Sequence, residues 1–112
     1  MDSTRQNKIS RLVQKEMSEI FQREVREIVK GTMVSVTSVK VTPDLAIAKM
    51  YLSIFPPEHK TDVFNSIKAA SSQIRYLLGQ RVGKQLRVIP ELQFYIDDSL
   101  DYLENIDRLL KQ

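Results

Sequence analysis

The chain contains no cysteine and no tryptophan, only three glycines, and a single histidine. Without thiols it builds neither a disulfide framework nor a sulfur-ligated zinc site, and it offers no thiolate nucleophile, which fits a reducing cytosol. The lone His59 sits in a Pro-Pro-Glu-His-Lys stretch with no nucleophile motif beside it, and reads as a solvated loop residue. Neither G-x-x-x-x-G-K-S/T nor G-x-G-x-x-G occurs, so phosphate-cradling loops of those kinds are missing. Asp97, Asp98 and Asp101 form an acidic cluster, but they lead into a helical pattern whose first turn favours acids, so capping explains them better than a metal does. Long apolar runs are also lacking: charge interrupts the first thirty residues throughout, leaving no room for a signal peptide or membrane span. Together these absences predict a cytoplasmic protein with no catalytic residues, metal, cofactor, small-molecule substrate or membrane partner.

What is present suffices for a fold. Hydrophobic residues make up 42% of the chain, well above the balance that keeps chains disordered. A length of 112 residues allows one hydrophobic core and argues for a single domain over residues 1–112. The net charge of +3 hides an asymmetry, because Met1 to Pro90 holds 15 basic and 8 acidic residues while Glu91 to Gln112 holds 2 and 6. A basic field on so small a domain points to a polyanion.

From about Ser3 to Val29, Ile9, Leu12, Val13, Met17, Ile20, Phe21 and Ile28 recur at three- and four-residue steps, predicting one amphipathic helix that Gly31 stops. Met33 to Val41 is β-branched and changes phase between Val36 and Val39, predicting a strand with a bulge at Thr37 or Ser38. After a Thr42-Pro43-Asp44 turn, Leu45 to Phe55 alternates as a second strand, pairs back as a hairpin and ends at Pro56-Pro57. Thr61 is the predicted cap of a helix burying Val63, Phe64, Ile67, Ala70, Ile74, Leu77 and Leu78. Ala69-Ala70-Ser71-Ser72 predicts a kink in it, and Gly79 and Gly83 should break up its end. Leu86 to Ile96 reads as a third strand bent at Pro90, and Asp98 or Ser99 should cap a last helix with Leu100, Leu103, Ile106 and Leu110. The expected class is α+β, a three-stranded sheet with helices on one face, in the element order of a type II KH RNA-binding domain.

Two basic runs contain no acid. Arg5, Lys8, Arg11 and Lys15 stay within about one third of the first helix's circumference, roughly opposite its apolar stripe. Lys68, Arg75, Arg81, Lys84 and Arg87 span the kinked helix and the approach to the third strand. A solvated charged face would account for either run alone, but two in one small domain suit phosphate contacts. Tyr51, Phe55, Tyr76 and Tyr95 lie on periods that read mostly as core or sheet surface, so structured RNA recognised by shape is favoured over base-by-base reading of single strands.

Three stretches carry a resemblance. V-S-V-T-S-V-K-V-T-P-D-L-A-I-A-K-M-Y within Met33 to Tyr51, A-A-S-S-Q-I-R-Y-L-L-G-Q over Ala69 to Gln80 and, most specifically, L-R-V-I-P-E-L-Q-F-Y-I-D-D-S-L over Leu86 to Leu100 resemble the ribosome-binding factor A family. The resemblance implies a KH type II fold whose usual G-x-x-G loop is replaced by an Ala-x-Gly interhelical kink. Here that kink is Ala70-Ser71-Ser72, with serine in the glycine position, which bears on its sharpness because serine lacks glycine's freedom at positive φ. It further implies a bacterial factor that binds the immature 30S subunit through 16S rRNA and supports late maturation of the rRNA ends without catalysis. Ser71 and Ser72 would then let RNA backbone approach closely, beside the nine cations named above. The expected state is a monomer. Two rivals remain: a general KH-type RNA chaperone, and a protein-interaction module whose hairpin edge adds a partner strand.

Overall fold

In the computed structural model, which describes residues 4–97, the first apolar stripe becomes α1 (Thr4–Arg23), burying Ile9, Val13, Met17, Ile20 and Phe21. The single helix expected through Val29 is instead two, because the chain breaks at Glu24 and Val25 before α2 (Arg26–Val29). Steric and apolar geometry explain the break. On a straight helix Val25 and Val29 would point roughly 110° and 150° away from the middle of the apolar stripe. With Val25 at φ −125 and ψ 37, both valines enter the core. Lys30 takes the left-handed conformation ahead of Gly31, so two residues at positive φ share the stop.

β1 (Met33–Val41) and β2 (Ile47–Phe55) form the expected antiparallel hairpin, and the register shifts between Val36 and Ser38. That bulge keeps Val34, Val36, Val39 and Val41 all inside. The second strand starts two residues later than the alternation suggests, because Leu45 and Ala46 belong to the turn. There the Thr42 hydroxyl and the Ala46 amide both donate to Asp44 Oδ1, at 2.6 and 3.1 Å. Leu45 stands at φ 60.

A 3-10 turn over Pro57–His59 leads into α3 (Lys60–Ala69), so Thr61 lies within the helix and is not its cap. The kink falls where expected, at Ala70, between α3 and α4 (Ser71–Val82). Ala70 has φ −96 and ψ 14, and its amide is shared between the Ser66 and Ile67 carbonyls. No kink residue needs positive φ, so serine is tolerated in the glycine position. Gly79 does not break α4. It faces Ile89 of the segment that leads to the last strand, where a Cβ would lie 3.4 Å from Ile89 Cγ1, and only Gly83 ends the helix. Because 3.4 Å is ordinary contact, Gly79→Ala should stabilise the fold by about 0.5–1 kcal/mol through helix propensity, read as a higher urea midpoint.

β3 (Glu91–Ile96) pairs in parallel with β2, giving the sheet order β1-β2-β3. It is shorter than the expected Leu86 to Ile96, since residues before Pro90 run as an irregular return segment. Ala48, Met50, Leu52, Leu92 and Phe94 join the β1 valines on the helix-covered face. The opposite face carries Lys40, Lys49, Ser53 and a stacked pair, Tyr51 and Tyr95, with ring centroids 5.4 Å apart. The helix expected after Asp98 lies outside the described residues.

α1 also serves the sheet. The side-chain amide of Gln6 donates to the Val41 carbonyl, and that of Gln14 to the Val36 and Thr37 carbonyls, all on the edge strand β1. Gln6 is the one buried polar side chain among the described residues. Much of the edge on which a partner strand would pair is therefore already engaged by a helix.

Candidate nucleic-acid interface

The two basic runs meet at one end of the molecule. After α4 the chain returns toward the first turn of α1, and there Arg5 and Lys8 of α1, Pro43 to Ala46 of the hairpin turn and Gln85 to Val88 of the return segment enclose a cleft of about 730 Å³. Arg5, Lys8 and Arg87 are exposed at this cleft, and none pairs with an acid among the described residues. Asp44 is the acid beside them, and its carboxylate is engaged by its own turn. The Thr42 hydroxyl foremost, then the Ala46 amide, lowers the Asp44 pKa from its usual 3.8. Arg11 and Lys15 continue the exposed stripe along α1, and Lys84 is exposed just beyond α4.

Lys68 and Ser71 border a second groove, of about 310 Å³, between the kink and β3 from Leu92 to Tyr95. The Lys68 ammonium lies 5.5 Å from the centre of the Phe64 ring. Ser72 and Arg75 line a third depression with Tyr76 and Gly79. Arg75 is exposed but anchored, donating from Nε to the Pro90 carbonyl at 3.1 Å and from Nη2 to the Ile89 carbonyl at 2.6 Å. It thereby fixes where β3 leaves α4.

Arg81 is placed differently from the other cations. Its Nη1 donates to Glu16 at 3.0 Å and Glu19 at 2.6 Å, and its Nε donates to Glu24 at 3.3 Å. Its side chain is only 22% exposed, and the three carboxylates, Glu16 foremost, raise the guanidinium pKa further above its usual value. The charge of Arg81 ties α4 to α1, so it is not available as the other cations are. A run read along the chain cannot register acids that arrive from another helix.

Tyr76 was not visible as a surface residue from its period, yet it is 66% exposed and accepts a hydrogen bond from Gln80 at 3.1 Å. The signal was there: Tyr76 sits two residues from both Ile74 and Leu78, off the face they define. No helix among the described residues is long and apolar enough to cross a membrane.

Comparison with known proteins places the chain. The family model for ribosome-binding factor A matches residues 5–110. Ribosome-binding factor A of Cytophaga hutchinsonii is 44% identical over 112 residues, covering 100% of this chain and 84% of its own. The crystal structure of the Thermus thermophilus ribosome-binding factor A shares the fold, with a TM-score of 0.68 at 18% identity over 81% of this chain and 94% of that one. A Thermus thermophilus ribosome binding factor A fitted into a cryo-EM map of a 30S complex gives a TM-score of 0.62 at 18% identity, over 78% and 89%. The chain belongs to the ribosome-binding factor A family.

Proposed function

We propose that this chain is an assembly factor of the small ribosomal subunit, binding the immature 30S particle through 16S rRNA and supporting late maturation of the rRNA ends. The carrying observation is the family match, which spans residues 5–110 of the 112. The physical basis is the convergence of Arg5, Lys8 and Arg87 at one cleft, with Arg11, Lys15 and Lys84 exposed nearby in sequence and Lys68, Ser71, Ser72 and Arg75 around the kink. Such cations give phosphate affinity and orientation, and the shape of the folded rRNA supplies the choice of site. The protein acts in the cytoplasm as a single-domain monomer, by occupying an RNA site and shifting its conformations with binding energy alone. The strand-addition rival has less support, since Gln6 and Gln14 hold carbonyls of β1.

Sedimentation with 30S subunits, 70S ribosomes and an unrelated structured RNA tests the reading. Saturable binding to 30S, weak or absent with 70S and steeply salt-dependent, is the expected result. Equal binding to all three would leave a general RNA chaperone, and binding to none would reject an RNA role.

A further inference from the structure

The cleft beside the start of α1 offers more than phosphate contacts use. Its rim carries three cations, Arg5, Lys8 and Arg87, but Leu45, Leu86 and Val88 make its walls apolar. Val88 is 70% exposed, an aliphatic side chain left in water at the mouth of the cleft. Leu45 holds φ 60, which costs a leucine on the order of 1 kcal/mol or more, and strain of this kind collects at sites of function. The Thr42, Asp44 and Ala46 hydrogen bonds keep it there. The backbone amides of Arg87 and Val88 bond to no described residue, so donors stand unused in the wall. At about 730 Å³ the space falls within the range of clefts that enclose small molecules.

A cationic rim, an aliphatic interior and free backbone donors match one kind of ligand group well: a phosphate joined to a base. We infer that the cleft takes a single nucleotide extruded from structured RNA, its base against Leu45, Leu86 and Val88 and its phosphate on Arg5, Lys8 and Arg87. The inference rests on the rRNA-binding reading above and adds base recognition to it. Unstacked bases in loops and bulges are where proteins read RNA sequence, and the Arg87 and Val88 amides would discriminate between base edges. Inorganic phosphate alone would satisfy the rim equally, so the test must separate the two.

The full chain, labelled with nitrogen-15, is titrated with uridine monophosphate, adenosine monophosphate and inorganic phosphate, and its amide shifts are followed. Saturable shifts confined to Arg5 to Ile9, Leu45, Ala46 and Leu86 to Val88 are expected with the nucleotides and not with phosphate. Val88→Ser, safe for folding because the side chain is exposed, should weaken nucleotide binding about three- to tenfold and leave any phosphate response unchanged. Equal responses to phosphate and nucleotides would overturn base binding and leave an ionic rim. Shifts at these residues that grow with protein concentration alone would assign the cleft to a second copy. No nucleotide response, with 30S co-sedimentation intact, would overturn the cleft and spare the parent reading; loss of 30S binding by the unmodified chain would sink the parent reading itself.

Discussion

Changing Arg5, Lys8 and Arg87 together to glutamate is expected to weaken 30S binding by about three orders of magnitude or more while leaving the fold intact. Each charge-assisted contact to a phosphate is worth about 1.5 kcal/mol or somewhat more. Losing three such contacts therefore costs on the order of 10³-fold or more in affinity before repulsion from the new acids is added. The salt dependence changes too: three fewer phosphates neutralised should make the log–log slope of affinity against salt shallower by about 2. Stability should move by no more than about 0.5 kcal/mol, because all three side chains are exposed and unpaired among the described residues. Sedimentation over a salt series, with a urea melt on the same variant, reads both quantities. An unchanged affinity would remove the cleft from the interface and leave the kink cations to carry it.

Arg81→Met gives the opposite pattern, a loss of stability with little loss of binding by the molecules that remain folded. Replacing the guanidinium strands Glu16, Glu19 and Glu24 around a methionine side chain, and the first of these is only 17% exposed. Partly buried charges left without a partner are costly, although the half-open position of Glu19 and Glu24 lets water screen them. A loss of about 2 kcal/mol at neutral pH follows from these competing effects. Urea melts at neutral pH, with 30S sedimentation of the same variant, check both points. A variant as stable as the parent that lost 30S binding would place Arg81 in the interface instead.

The parts of this fold that were legible from residues are those written in local periodicity. The phase change from Val36 to Val39 announced the bulge, and Ala69-Ala70-Ser71-Ser72 announced the kink. The apolar period alone runs on too far: it carries the first helix through Val25, whose burial requires the break. Gly79 reads as a helix breaker along the chain because the neighbour it faces, Ile89, comes from a segment ten residues away. The basic residues were all visible, but their grouping was not. Arg87 joins Arg5 and Lys8 only because the return segment doubles back along the molecule, and the acids around Arg81 come from α1 and the break that follows it. Tertiary proximity decides which cations face solvent free and which are spent within the fold.

The glutamines of α1 do more than tie a helix to the sheet. By donating to the carbonyls of Val41, Val36 and Thr37, Gln6 and Gln14 occupy acceptors that the amides of another strand would otherwise use. A nine-residue edge strand with unclaimed carbonyls is a template for adding strands from other chains. Here two amide side chains of α1 act as a built-in guard along β1, making that edge a poorer template for pairing between chains.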